Sequence, residues 1–140
     1  MTTCFVNSRD LLDVPVLRSM WNEMRSLRPA GRLGMCHKDL TPPNILVENG
    51  HIVGVLDAGG FGSADPAVDL ASVWHLFDHD GRDLVRTRLQ IAPDEWLRGA
   101  AWAFAQAMGL VWYYQHSNPE MSALGRTTLT RLVAAAEIPR

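Results

Sequence analysis

The segment that decides the fold is HKDLTPPNILVENGHIVGVLD, which runs from His37 to Asp57. It contains two apolar runs, 45–47 and 52–56, in which β-branched residues are frequent. The Asn49-Gly50 dipeptide between them readily adopts the positive φ angles of a tight two-residue turn. The pattern therefore predicts that the two runs pair as a β-hairpin.

Polar side chains stand at both ends of this predicted hairpin. Asn44 enters the first strand and Asp57 leaves the second, so antiparallel pairing brings both to the same end. Mg²⁺ prefers carboxylate and amide oxygens, water and phosphate as ligands, and these two side chains can supply such oxygens. Asp39, on the preceding loop, can then face an acceptor hydroxyl, as phosphoryl transfer from ATP requires.

The rest of the chain has a largely helical pattern. Apolar residues at helical spacing predict helices over residues 14–28, 66–77, 82–90, 94–114 and 119–136. At three of the predicted starts a carboxylate or amide residue stands shortly before a proline, which is typical of a capped first turn. These capping residues are Asp13, Asp65 and Asn118.

The order His-x-Asp, Asn five residues after that Asp, an apolar hairpin and then Asp-x-Gly is a kinase-like catalytic pattern. Here it is formed by His37, Asp39, Asn44 and Asp57, and the string GGFGSADPAVDLA follows at 59–71. In this combination the chain resembles the aminoglycoside phosphotransferase family of small-molecule kinases. The match is densest between residues 35 and 74 and continues more weakly to the end.

The resemblance implies a role for each matching residue. Asp39 corresponds to the catalytic base that orients the acceptor hydroxyl, and Asn44 and Asp57 correspond to the magnesium ligands. His37 corresponds to a structural residue of the catalytic loop, and Asp69 to a buried carboxylate that braces this loop. The resemblance also implies ATP as phosphoryl donor, Mg²⁺ as cofactor and a small-molecule hydroxyl as acceptor. The identity of the acceptor and the residues that bind it stay unknown at this point.

The fold implied by the resemblance is α+β, the mostly helical C-terminal lobe of a protein-kinase-like enzyme with a small hairpin that carries the catalytic and metal loops. We expect one domain over 1–140, with a leading helix in 1–34, these loops and the hairpin in 35–64, and a helical bundle in 65–140. The N-terminal lobe that grips the nucleotide is expected to be absent. Few residues precede the catalytic loop, and Lys38 within it is the sole lysine of the sequence.

An absent nucleotide lobe has two expected consequences. ATP affinity should be weak, and exposed apolar surface should favour a partner lobe or a homo-oligomer. Two functions therefore stay open. One is an ATP-dependent O-phosphotransferase that is truncated or partial. The other is a non-catalytic kinase-like module or remnant with a binding or regulatory role.

Three residues depart from glycines that members of this family often carry. Lys38 is expected to project outward, and Pro43 stiffens the residue before a predicted metal ligand. Ala64 would be strained if its position needs a positive φ angle. None of the three departures removes a reacting group.

Composition excludes several other classes of protein. The chain has 140 residues and a net charge of −2, which predicts one globular domain without a basic surface for nucleic acid or anionic lipid. Residues 99–114 carry no formal charge, but this stretch is shorter than the ~20 residues that cross a bilayer. The N-terminus lacks the pattern of a signal peptide. We expect a cytoplasmic protein with no membrane partner, in which Cys4 and Cys36 are free thiols.

Other residues receive less specific predictions. Four tryptophans are expected in the core, with a substrate site as the alternative: Trp74, Trp96, Trp102 and Trp112. Three histidines are expected at the surface or at helix ends: His75, His79 and His116. Five acidic residues are expected to be loop charges or helix-start charges, with recognition of a cationic substrate as the alternative. These are Asp78, Asp80, Asp83, Asp94 and Glu95.

Overall fold

Two long helices, α5 (Pro93–Tyr113) and α6 (Pro119–Ala134), form the centre of the computed structural model, which describes residues 1–139. Their close approach depends on small residues. A Cβ atom on Gly125 would lie only 2.8 Å from the carbonyl oxygen of Ala107. The side chains of α5 that are buried include Trp96, Ala100, Ala103, Phe104, Ala107, Met108 and Val111.

Four shorter helices surround this pair: α1 (Thr2–Asn7), α2 (Val14–Met24), α3 (Ala71–Leu76) and α4 (His79–Arg88). The first three contact α5, and α4 contacts α3. Because α2 is amphipathic, it buries an apolar stripe against the core. The buried residues of this stripe are Leu17, Met20 and Met24.

An aromatic cluster joins α3 and α4 to the central helices. The indole rings of Trp74 and Trp96 lie 5.3 Å apart between centroids, and both side chains are buried. The guanidinium of Arg82 lies 4.7 Å from the Trp74 ring centroid and donates a hydrogen bond to the carbonyl oxygen of Phe77. This buried cation is therefore stabilised by a ring face and by a backbone acceptor.

The strands form two separate antiparallel pairs. Strand β1 (Gly34–Cys36) pairs with β4 (Gly62–Ala64), and β2 (Ile45–Glu48) pairs with β3 (His51–Val55) in a hairpin with an irregularity after Leu46. The hairpin prediction is confirmed. Its turn residues have the expected positive φ angles, 51° at Asn49 and 78° at Gly50.

Two predicted helix boundaries are wrong for identifiable reasons. The predicted helix 14–28 ends at Met24, because the chain then tightens into i→i+3 hydrogen bonds and because the residue before Pro29 disfavours helical geometry. The predicted helix 66–77 is instead a 3₁₀ turn, Pro66–Val68, followed by α3. Successive i→i+3 bonds in this segment, such as Val73 N–H to the Leu70 carbonyl, delay the start of the α-helix.

The remaining predictions of helix position differ in accuracy. Helices α5 and α6 lie within two residues of the predicted bounds, and the Asn118 side chain accepts the Met121 N–H at 3.2 Å. Helix α4 begins three residues earlier than predicted because Asp78 caps it by accepting the Gly81 N–H at 3.0 Å. Helix α1 was not predicted, since only one of its residues, Phe5, is buried and no periodic pattern marks it.

The fold class is α+β, as predicted, with helices as the larger part. The uncharged stretch 99–114 belongs to the core helix α5. Within residues 1–139, no helix combines the length and the apolar character that crossing a bilayer takes.

Candidate active site

The loop that follows β1 is held by the carboxylate of Asp69. Oδ2 accepts the backbone N–H of His37 at 2.8 Å, and Oδ1 accepts that of Lys38 at 2.7 Å. Asp69 lies just before α3, which packs in the core. Two charge-assisted hydrogen bonds thus tie this loop to the helical part of the molecule.

The buried ring of His37 connects the same loop to the end of the hairpin. Its Nε2 lies 2.9 Å from the carbonyl oxygen of Leu56. Because a carbonyl can only accept, Nε2 must carry the hydrogen and donate. The other ring nitrogen, Nδ1, is buried and has no hydrogen-bond partner among the described residues. The contact at Nε2 fixes the residue immediately before Asp57.

Asp39 and Asn44 are in direct contact. The Asn44 side-chain Nδ2 donates to the backbone carbonyl of Asp39 at 2.8 Å and to its carboxylate Oδ2 at 2.9 Å. The backbone carbonyl of Asn44 accepts the Leu56 N–H at 2.8 Å. Since the amide nitrogen is engaged by Asp39, the amide oxygen of Asn44 is the atom left for a cation.

Asp57 is the residue after Leu56, whose N–H is bonded to the Asn44 backbone. Its backbone is left-handed, with a φ angle of 57°, and its side chain is exposed. An Asp tolerates this conformation better than most residues. The hairpin therefore places Asp57 and Asn44 at the same end, with Asp39 hydrogen-bonded to Asn44.

These oxygens fit Mg²⁺ by their chemistry. Mg²⁺ is usually held by one or two carboxylates together with water and substrate phosphates, so a complete cage of protein ligands is not required. Residues 1–139 contain no group of three or more His, Cys, Asp or Glu side chains placed to hold a metal ion. Asp57 and Asn44 would be the protein ligands.

Of the predictions about departures from glycine, the one for Lys38 is wrong, and the condition for strain at Ala64 is not met. Lys38, and not Ala64, has the positive φ angle, at 73°. Lys38 does not project freely into solvent but is half-buried and lines a depression beside β4. Its Nζ lies 3.1 Å from the place where a Cβ atom on Gly62 would stand. Ala64 is an ordinary strand residue opposite Gly34, and Pro43 belongs to a 3₁₀ turn, Pro42–Asn44, that leads into β2.

The model of the phosphotransferase enzyme family matches residues 6–106 of the chain. The chain belongs to this family. The matched range includes all five residues with a predicted role: His37, Asp39, Asn44, Asp57 and Asp69. Their individual roles in this chain stay predictions.

A curated relative gives a more specific likeness. An aminoglycoside 3'-phosphotransferase from Acinetobacter baumannii is 34% identical over 65 residues. The match covers 46% of this chain and 25% of that enzyme, so the similarity is confined to a part of each. No solved structure matches the chain significantly.

A groove of about 390 Å³ adjoins the Asp39 carboxylate. Thr41 forms part of its wall beside Asp39, and α5 and the start of α6 form the rest. The α5 side includes Trp112, which is half-buried, and Tyr113, which is 64% exposed. Asp39 is the sole carboxylate among the residues that line this groove. The Asp39 carboxylate therefore borders a depression in the surface of the molecule.

The prediction that four tryptophans lie in the core is correct for two of them. Trp74 and Trp96 are buried, whereas Trp102 is 43% exposed and Trp112 borders the groove. The prediction failed because the uncharged run 99–114 gives no sign of which face of α5 lies at the surface.

The structure adds Gln106 to the residues that line this groove. Its Oε1 lies 3.0 Å from Nε2 of His75, whose Nδ1 lies 2.8 Å from Oγ1 of Thr128. His75 lies in the last turn of α3, in agreement with a helix-end position, but its side chain is buried and not at the surface. This burial lowers the pKa of its imidazole. The sequence signal that could have identified Gln106 is its position as an amide within the uncharged run 99–114.

Several other polar residues have plain structural contacts. Asp78 caps α4, and Asp83 pairs with His79 at 3.2 Å on the exposed surface of that helix. Asp65 accepts the Ala67 N–H at 3.0 Å and also pairs with Arg98 at 2.8 Å. The predicted capping role of Asp65 is confirmed, and the contacts of Asp78 and Asp83 favour the helix-charge interpretation of the acidic residues.

The two cysteines are free, as predicted. Cys36 is buried in β1, and this burial, followed by the negative charges of Asp69 and Asp65, raises the pKa of its thiol. A raised pKa reduces the thiolate fraction, so Cys36 is poorly suited to act as a nucleophile.

Proposed function

We propose that this phosphotransferase transfers the γ-phosphate of ATP to a hydroxyl group of a small molecule. Asp39 serves as the general base, and Asn44 and Asp57 hold Mg²⁺. The observation that supports this most is the double hydrogen bond from Asn44 to Asp39 at the end of the hairpin that Asp57 leaves. This contact couples one proposed metal ligand, Asn44, to the proposed base.

Each residue contributes to a distinct part of the reaction. When Mg·ATP is bound, it supplies the phosphoryl group and neutralises charge that develops during transfer. The Asp39 carboxylate, at the edge of the groove, orients the acceptor hydroxyl and takes up its proton. The Asn44 hydrogen bond fixes the carboxylate, while Asp69 and His37 hold the loop that carries it.

We further propose that a nucleotide-binding lobe, or a second copy of the chain, covers the hairpin in the active assembly. The described residues show apolar side chains exposed on and beside the hairpin, an arrangement typical of an interaction surface. The exposed residues include Leu33, Met35, Leu46, Val47, Ile52, Val53, Val55, Leu56 and Phe61. ATP as the donor would place this activity in the cytoplasm.

Calorimetric titration of Mg·ATP into the 140-residue chain tests the proposal. We expect magnesium-dependent binding that Asp57→Ala abolishes, because this variant removes the exposed carboxylate ligand. Asp10→Ala, at an exposed position in the loop before α2, is the matched control and should bind as the wild type does.

The alternative outcome also has a definite meaning. A folded sample that binds no nucleotide at millimolar Mg·ATP would reject a self-sufficient site. The titration would then be repeated with a separately produced nucleotide-binding lobe of the family. Binding restored in this way would support the partial-enzyme form of the proposal. Its continued absence would favour a non-catalytic module.

A further inference from the structure

The groove beside Asp39 continues along α5 toward Trp102. A second depression of about 410 Å³ is lined by Lys38, Ala64, Val68 and Trp102, and it shares Ala105 and Gln106 with the first. The two depressions therefore form one strip along the surface of α5, with the catalytic loop on its other side. Asp39 lines the first depression of this strip, and Lys38 lines the second.

The ammonium group of Lys38 has no anionic partner in this strip. Within residues 1–139, no carboxylate oxygen lies within 4.0 Å of its Nζ. Two carboxylates, Asp65 and Asp69, act electrostatically on Cys36, which neighbours Lys38 in the sequence. Both have other partners: Asp69 accepts two backbone N–H groups, and Asp65 is paired with Arg98. Lys38 thus presents a positive charge that can be complemented by a ligand.

The surroundings of Lys38 favour a particular shape of ligand. Trp102 is 43% exposed and offers an indole surface in the same depression, and Gln106 offers an amide held by His75. An aromatic or otherwise planar body could lie on such a surface. The strip contains no carboxylate besides Asp39, so a ligand with several positive charges would find one anionic partner and a repelling ammonium.

We infer that the acceptor of this phosphotransferase carries an anionic group, such as a carboxylate, that pairs with Lys38 while its hydroxyl reaches Asp39. This inference rests on the proposed function and names the substrate class of the same site. The ammonium group could also complement a phosphate of the donor, which has the same anionic chemistry. The experiment must therefore separate these two sources of negative charge.

A matched set of three ligands tests the charge preference without requiring turnover. The ligands 4-(hydroxymethyl)benzoate, 4-(hydroxymethyl)benzamide and 4-(hydroxymethyl)benzylamine share a ring and a hydroxyl and are anionic, neutral and cationic. Their affinities would be measured by calorimetry and by quenching of tryptophan fluorescence. We expect the anionic ligand to bind about threefold to tenfold more tightly than the neutral one, and the cationic ligand to bind most weakly.

Two variants test whether Lys38 causes the preference for the anionic ligand. Lys38→Met keeps an unbranched side chain at the left-handed position and removes the charge, so it should abolish the preference for the anionic ligand. Lys38→Arg keeps the charge and should retain the preference. Circular dichroism of each variant shows whether the fold is maintained.

The other outcomes would overturn the inference. These are a preference for the cationic ligand, an anionic preference that survives in Lys38→Met, or no binding of any of the three to a folded chain. If Lys38→Met weakens Mg·ATP binding and leaves the benzoate affinity unchanged, the charge serves the donor and not the acceptor. The effect of Asp57→Ala on Mg·ATP binding decides the proposed function separately.

Discussion

The carboxylate of Asp69 accepts the backbone N–H of His37 at 2.8 Å, although 32 residues separate them in the sequence. The same carboxylate also accepts the N–H of Lys38. An amide group in this place could accept one of these hydrogen bonds, but its NH₂ group would face the second donor. A carboxylate is thus the side-chain group that satisfies both donors at once.

Asp69→Asn should therefore destabilise the protein. Loss of one charge-assisted hydrogen bond at a partly buried donor should lower the free energy of unfolding by about 1–3 kcal/mol. Urea denaturation followed by circular dichroism measures this change. Asp10→Asn, at an exposed loop position, should stay within about 0.5 kcal/mol of the wild type. Equal stabilities of the two variants would contradict the bracing role.

Asp39→Ala should reduce turnover without unfolding the chain. Removal of a general base costs about 10²–10⁴-fold in rate, while the exposed position of Asp39 predicts little loss of stability. The backbone carbonyl of residue 39 still accepts the Asn44 amide, so Mg·ATP binding should persist. Coupled ADP release, measured in an active preparation, tests the rate. An unchanged rate would show that Asp39 is not the base.

The stability of the fold should decrease in mild acid because of His75. Burial lowers its pKa in the folded state below the ordinary value of 6.5, and the hydrogen bond to Gln106 opposes this only in part. Below about pH 6.5 the unfolded chain therefore binds more protons at this group than the folded chain, and the free energy of unfolding falls as pH falls.

Urea midpoints measured between about pH 7 and pH 5 would test this dependence. His75→Gln should show a shallower decline than the wild type, whatever its stability at neutral pH. His79→Gln changes an exposed histidine of α4 and serves as the matched control. If both variants decline as the wild type does, another group causes the acid sensitivity.

Two glycines in the central helices should respond in opposite ways to alanine. A Cβ atom at Gly125 would meet the Ala107 carbonyl oxygen at 2.8 Å and side-chain atoms of Leu110 and Val111 at 3.0 Å. Gly125→Ala should therefore cost about 1–3 kcal/mol in the free energy of unfolding. A Cβ atom at Gly109 has no atom within 4 Å, so Gly109→Ala should stabilise the helix by about 0.5–1 kcal/mol. Thermal unfolding of the pair provides the comparison.

Local chemistry made the hairpin and the two central helices predictable from the sequence. Asn49-Gly50 specifies its own turn, and α5 and α6 each begin at a proline. The order of Asp39, Asn44 and Asp57 around that hairpin also predicts that they lie at one end of it.

Contacts between distant residues were not predictable in the same way. Strands β1 and β4 have three residues each, and Gly62-Ser63-Ala64 has none of the side chains typical of strands. The burial of His75 depends on Thr128 and Gln106, which lie on other helices. The left-handed backbone of Lys38 is held by Asp69, and no local pattern indicates it.

The isolation of the β2–β3 hairpin has a consequence for hydrogen–deuterium exchange. Its strands pair only with each other among the described residues, and most of its side chains face solvent. Such a unit can open without disturbing the helical core, so its amides should exchange faster than those of α5. A ligand that contacts both Asn44 and Asp57 would hold the open end of the hairpin closed. Slower exchange of the hairpin amides would then report that the site is occupied, even in a sample that performs no turnover.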